Sequence, residues 1–142
     1  MPADPTAGET SIATRFSITI DGSEIATFSK LVGIISEADH AGTLLKKLPG
    51  KRRPPTVVLR RALTTDTGLA AWHEAAVVDP ATARRNGTLV MFDSSGKPVA
   101  RYHLENAWPS KLEIGSPVPG SDDAVLYESV TLSCDRIERV PV

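Results

Sequence analysis

Aromatic residues make up only 5% of this 142-residue chain, too few for a stacking platform that would hold single-stranded nucleic acid. Neither sign of charge dominates. Sixteen Lys and Arg stand against 17 Asp and Glu, so no general attraction to phosphate backbones or anionic membrane is expected. The single cysteine, Cys134, excludes an intrachain disulfide and suits a reducing compartment. No run approaches the roughly 20 apolar residues that cross a bilayer. The first ten residues have neither a basic nor an apolar region, so no secretory signal is read there, and the expected place of synthesis and retention is the cytoplasm unless another route exports the chain. What is present is ordinary for a globular domain: 41% hydrophobic and 23% charged residues, enough for one domain with a real core.

Patterning divides the chain into a small, polar arm over 1–13, expected to be flexible, and one domain over 14–142. Arg15-Phe-Ser-Ile-Thr-Ile20 alternates, with Phe16, Ile18 and Ile20 on one face of a strand. Asp21-Gly22 supplies a tight turn, and Ile25 to Phe28 begins the returning strand. The stretch from Gly33 to Pro55 is irregular, with Pro49-Gly50 and Pro54-Pro55, and reads as a loop or a ragged hairpin. Thr56 to Leu63 is a further strand. One helix is expected, opening at Thr65-Asp66, carrying Leu69, Trp72 and Ala76 at helical spacing, and ending at Asp79-Pro80. After a polar connection at Arg84–Gly87, strands are expected over 88–92, 99–104 and 124–134. Asp93–Gly96 is a turn, and Asn106-Ala-Trp108-Pro109 closes the middle strand. Phe16, Trp72 and Trp108 are expected in the core, Trp108 buried at a strand end near the helix. Six or seven strands and one helix predict a mainly β fold, a barrel or sandwich of two packed antiparallel sheets with one flanking helix.

Chemistry-bearing constellations do not assemble, so no catalytic, cofactor or metal site is expected. His73-Glu74 falls short of a zinc-binding helix because Val77 stands where the second ligand belongs. His40 and His103 have no carboxylate or thiol nearby in sequence. Cys134 precedes Asp135 and lacks the base and electropositive setting of a nucleophile. Gly42-Thr-Leu-Leu-Lys-Lys47 lacks the glycine pattern of a phosphate loop, and Asp122-Asp123 lacks calcium-loop spacing. The one conspicuous charge run is basic: Lys46, Lys47, Lys51, Arg52 and Arg53, with Arg60 and Arg61 beyond it. Such a run is ordinarily solvated. As a contact loop it would seek acids, and Glu113, Asp122, Asp123 and Glu128 are the candidates.

The order of several features resembles the tail-tube family of contractile phages, R-type bacteriocins and extracellular contractile injection systems. They are Phe16-Ser-Ile-Thr-Ile-Asp-Gly22, Ala26–Ser29, Gly33 to Glu37, Lys47-Leu-Pro-Gly50 and Thr56–Arg61 running into Leu63–Asp66. Leu69 and Trp72, Arg84-Arg85, Asp93–Gly96, Asn106–Lys111 and the strand closing at Ile137–Val140 follow. Together they span about 14 to 140.

The resemblance implies a two-sheet barrel whose copies form six-membered rings that stack into a hollow tube, a conduit for lumenal cargo. It implies sheath, baseplate, spike and tube-cap partners, and a particle such as a virion or phage-tail-like device. It also implies that the basic loop reaches the adjacent ring. Glu37 to Lys47 is shorter than the family's arm, which fits a remodelled stacking contact and admits a tube-initiator or baseplate-adaptor ring as the alternative. A rival of another class is a monomeric β-barrel holding an apolar ligand in its lumen. A β-rich enzyme using His73, Glu74 or His103 is the remaining one.

Overall fold

The computed structural model describes residues 10–38, 53–116 and 125–142. Eight strands and two helices lie in these stretches, and all strand pairs are antiparallel. β1 (Arg15–Ile20) and β2 (Ser23–Phe28) form the expected hairpin. Its turn works because Asp21 and Gly22 both take positive φ, at 49° and 84°, the left-handed region open to aspartate and glycine. β3 (Lys30–Ile35) follows after the single residue Ser29 and pairs with β4 (Thr56–Ala62). β5 (Arg85–Phe92), β6 (Pro98–Gly115), β7 (Tyr127–Ser133) and β8 (Arg136–Val140) complete the set.

The strands fall into two layers that share β6. Its first half pairs with β5 and β8, giving a layer in the order β2-β1-β5-β6-β8. Its second half pairs with β7, giving β3-β4-β7-β6. Both layers feed one core, Phe16, Ile18, Phe28, Leu89 and Leu104 from the first and Val57, Leu59, Val130 and Leu132 from the second. Each fully buried side chain of this kind contributes about 1.5–3 kcal/mol.

The helix begins two residues later than its sequence signal. α1 (Gly68–Val78) has Thr67 at its N-cap position without a side-chain bond, while Asp66 Oδ1 accepts from the Gly68 N–H at 2.9 Å. Asp79 ends it, and Pro80 opens the short α2 (Pro80–Ala83). Leu69 and Ala76 are buried beneath α1, and the Trp72 indole N–H donates to the Ala83 carbonyl at 2.7 Å.

Three sequence expectations are corrected. β6 does not close at Trp108-Pro109 but runs 18 residues, because its partner changes from β5 to β7 midway. The strand expected over 124–134 is β7, which ends at Ser133, and a separate strand, β8, follows it after Cys134-Asp135. β3 was hidden by Gly33 and by a register shift between Leu31 and Gly33 that spoils the alternation. The expected strand start at Ala124 and residues 39–52 of the loop expected from Gly33 to Pro55 lie outside the described residues. Of the arm, only its end is described: Ala13 packs on the core, and the Thr14 N–H donates to the Phe92 carbonyl at 2.8 Å.

Candidate assembly surface

The side chains that could carry reaction chemistry stand apart. His73 is half-buried on α1 and His103 is exposed on β6, while His40 lies outside the described residues. No group of three potential metal ligands occurs among the described residues. Cys134 is buried, and burial first, then the charge of Asp135, pushes its thiol up to about 12. An unfolded thiol ionises near ~8.5. Because the folded value is the higher one, the stability tied to the neutral thiol is full below the unfolded value and declines as pH rises toward 12. The native protein at pH 8 is therefore expected to leave a thiol-reactive dye unconsumed, and urea-unfolded protein to consume one equivalent.

The second layer offers surfaces rather than a cleft chemistry. Alternate residues of β4 point to opposite faces: Val57, Leu59 and Arg61 are buried, while Val58 and Arg60 are half-buried. On the core side, Arg61 is paired across the ladder with Glu128. Its Nε donates to Glu128 Oε1 at 2.8 Å, with Nη2 at the same distance from that oxygen, and the guanidinium lies 5.4 Å from the Phe28 ring centroid.

On the opposite face one row crosses the whole layer: Lys30, Arg60, Ser129 and Glu113 are successive ladder partners. Lys30 and Arg60 are like charges directly opposed, an unfavourable arrangement. Among the described residues, Arg60 lies against the Tyr127 ring, 4.4 Å away, and its buried Nε has no hydrogen-bond partner. Glu113, at the far end of the row, pairs with Lys111 at 3.0 Å in the exposed surface.

The layer has free edges. Among the described residues, β3 pairs only with β4, and β6 from Trp108 to Gly115 pairs only with β7. β3 exposes Val32 and Ile35 and has Lys30 as its one charge. Apolar edges of this kind invite another strand unless something covers them.

β3 ends and β4 begins at one end of this layer, at the row Ile35-Thr56-Ser133-Trp108, and residues 39–52 join them in sequence. β6 ends and β7 begins at the opposite end, at the Gly115-Tyr127 pair, and residues 117–124 join them in sequence. The seven residues of β4 separate the ends by about 20 Å at 3.3 Å per residue. Lys46, Lys47, Lys51, Arg52, Asp122 and Asp123 lie outside the described residues. Arg53 is exposed at the start of this end, beside a surface cleft of about 540 Å³ that also touches Glu37, Asp135 and Arg136.

Two candidate placements change. Glu128 turns inward and its carboxylate is taken by Arg61, so it is not a surface acid. Trp108 is half-buried within β6 rather than in the core, because the strand runs on past it, and its ring carries the Arg84 guanidinium at 4.2 Å. Phe16 is a core residue and Trp72 packs against the core. The Lys30-Arg60-Glu113 row was not anticipated. A strand's face is read from alternation, and β3 has little to read.

Among the described residues the chain is thus a packed β-barrel with open strand edges and no cluster of three potential metal ligands. The family model for "T4-like virus tail tube protein gp19" matches residues 12–138. The chain belongs to this tail-tube family. The comparison with curated sequences gives no match. Among solved structures, the fold is similar to a chain in the sheath-tube complex of an extracellular contractile injection system (PVC) in the extended state. The TM-score is 0.65 and the identity 20%, over 99% of this chain and 100% of that one. A chain of the anti-feeding prophage baseplate gives 0.63 and 17%, over 99% of both. Hcp1 from Salmonella typhimurium gives 0.52 and 15%, over 89% of this chain and 85% of that one.

Proposed function

We propose that this chain is the inner-tube subunit of a contractile injection machine, a structural protein and not an enzyme, assembling as six-membered rings that stack into a hollow conduit. The tail-tube family match across residues 12–138 carries this reading. The free edges of β3 and β6 support it, since neighbouring copies in a closed ring cover each other's edges. A sheath, a baseplate with its spike, and a terminating cap are the partners, and cargo travels in the lumen. Assembly takes place in the bacterial cytoplasm before the particle acts. A ligand-holding monomer is disfavoured by the side chains that fill the barrel, with Leu59, Leu89, Leu104 and Val130 all fully buried. The likeness to a baseplate chain keeps a second reading in view, a ring joining tube to baseplate, which shares the same assembly chemistry.

Stacking is assigned to the charged ends. Lys46, Lys47, Lys51, Arg52 and Arg53 of one ring meet Glu113, Asp122 and Asp123 of the next, a head-to-tail contact that repeats as a filament. Support comes from the roots of the two segments, which lie at opposite ends of the same layer. Exposed ion pairs contribute only about 0–1 kcal/mol each, but a ring repeats every pair around its circumference.

Negative-stain images of the purified chain are expected to show rings and tubes, and monomers at every concentration would overturn the tube reading. Reversing Lys51, Arg52 and Arg53 to Glu should shorten or abolish tubes while circular dichroism stays unchanged. Raising salt from 0.1 to 1 M should act in the same direction, as screening shortens from about 10 to 3 Å. Tubes of normal length from the triple reversal would remove the stacking assignment.

A further inference from the structure

We propose that the face of the second layer turned away from the core is a selective wall, which takes an acidic polypeptide as its passenger through Lys30 and Arg60. This rests on the ring reading above and adds to it the chemical class of the cargo. Among the described residues the face carries three cations, Lys30, Arg60 and Lys111, and one carboxylate, Glu113. Lys111 and Glu113 satisfy each other at 3.0 Å. Lys30 and Arg60 are left opposed across the β3-β4 ladder, with no carboxylate partner among the described residues, and the buried Arg60 Nε lacks an acceptor. The whole chain has a formal net charge of −1, so this uncancelled positive pair is a local concentration and not a general property.

Strand spacing decides where this face points. In a ring of six copies that cover one another's edges, the four strands of each second layer, about 4.8 Å apart, close into a cylinder about 37 Å across its backbones. The first layer packs about 10 Å from the second. Placed inside, its five strands per copy would need about 144 Å of sheet within a circumference of about 53 Å. Placed outside, they have a circumference of about 178 Å. The first layer therefore lies outside, and the row of Lys30, Arg60, Ser129 and Glu113 faces the lumen.

Short side chains fill much of the rest of the wall, with Ser129, Thr131 and Ser133 from β7 beside Thr56 and Val58 from β4. The Ser110 hydroxyl lies 2.7 Å from that of Ser133 and donates to the Thr131 carbonyl at 3.2 Å. These hydroxyls are satisfied within the wall and do not grip a passenger. What remains is a smooth polar surface with positive points repeated around every ring. A channel with low-dielectric walls focuses such a field, so carboxylates are drawn in, while each exposed ion pair is weak enough to let go. A nucleic-acid duplex fits less well. It carries a charge about every 1.7 Å and would be gripped at every ring, and Tyr127, which a base could stack on, already carries the Arg60 guanidinium at 4.4 Å.

Tubes assembled in the presence of a fluorescent glutamate-rich peptide test the wall. Sedimented wild-type tubes should retain this peptide about ten-fold or more above a Gly/Ser peptide of equal length, and protease added outside should leave the retained peptide intact. Lys30→Gln with Arg60→Gln should abolish the retention. Lys30→Gln alone, a change at an exposed position, should reduce it even where the double variant does not assemble. Arg136→Gln with Arg139→Gln removes the same charge from exposed positions on β8 of the first layer and should leave retention unchanged. Tubes that form but retain no peptide, or that lose it with the β8 changes instead, would overturn the wall and leave the tube reading standing. Preferential retention of a duplex oligonucleotide would overturn the assignment of a polypeptide. Wild-type protein that never forms tubes would overturn the wall together with the tube reading.

Discussion

Glu128→Ala is expected to destabilise the subunit by about 3–5 kcal/mol, the usual cost of leaving one buried ion without its partner. Glu128 is 3% exposed and Arg61 7%, and two of the three guanidinium nitrogens, Nε and Nη2, lie 2.8 Å from one carboxylate oxygen. Removing the acid strands a guanidinium between Phe28 and the β4-β7 ladder, where water does not reach it. Removing both charges has the opposite character. Arg61→Met with Glu128→Leu replaces the pair by apolar groups of similar size, and such replacements are often neutral or stabilising. Urea unfolding of the four proteins closes the double-mutant cycle. A loss under 1 kcal/mol for Glu128→Ala would show that the arginine finds water after all. A double variant as unstable as the single one would show that the pair itself, rather than the orphaned charge, holds the layer. The pair matters for assembly as well as stability. Ile114 and Tyr127 flank Glu128 in the β6-β7 ladder, so a relaxed pair would loosen the end of the layer from which residues 117–124 depart.

Much of the fold was legible because alternation and turn chemistry report local geometry. Phe16, Ile18 and Ile20 alternate, and the core contains all three. Asp21-Gly22 and Asp93–Gly96 read as turns, and positive φ at Asp21, Gly22 and Gly96 shows why. In the second turn the Asp93 carboxylate accepts from Ser95 and Lys97. The Ser95 hydroxyl first, then the Lys97 N–H, hold its pKa below the ordinary value. β6 was cut short because proline and a positive-φ asparagine are ordinary stop signals. Pro109 is tolerated in a strand that, among the described residues, has one unpaired edge there and a register shift after it. The assembly surface was less legible than the core. Glu128 sits in the alternation Glu128, Val130, Leu132 on the buried face, a signal that was present but outweighed by its charge. The cross-sheet row of Lys30, Arg60 and Glu113 joins residues from three distant segments, and no local pattern encodes which registers bring them into line.

Asn106 is where the two layers are made from one strand, and Asn106→Val is expected to cost about 2–3 kcal/mol from lost conformation and a lost hydrogen bond. Its φ of 49° lies in the left-handed region, which costs most L-residues about 1–2 kcal/mol and is least accessible to β-branched side chains. The β5-β6 register shifts here, between Arg85/Gly87 and Leu104/Ala107, so β6 carries an extra residue and bends. The bend is tied on both sides. The Asn106 N–H donates to Asn86 Oδ1 at 3.0 Å, and its side-chain amide donates to Asp135 Oδ2 at 2.8 Å. Asp135 in turn marks the break between β7 and β8, with its N–H donating to the Glu105 carbonyl at 2.8 Å. The neighbouring strand thus bends at the same level. Asn106→Gly keeps the backbone conformation and loses only the side-chain bond, so its expected cost is about 1 kcal/mol. Thermal unfolding of the two variants separates the effects, and equal losses would show that conformation plays no part. Because the bend sets the angle between the layers, Asn106→Val should also impair ring assembly at temperatures where it remains folded, whereas Asn106→Gly should assemble normally. Electron micrographs of both, taken well below their melting temperatures, provide the comparison. Intact rings from a folded Asn106→Val protein would show that the angle is held elsewhere in the two layers.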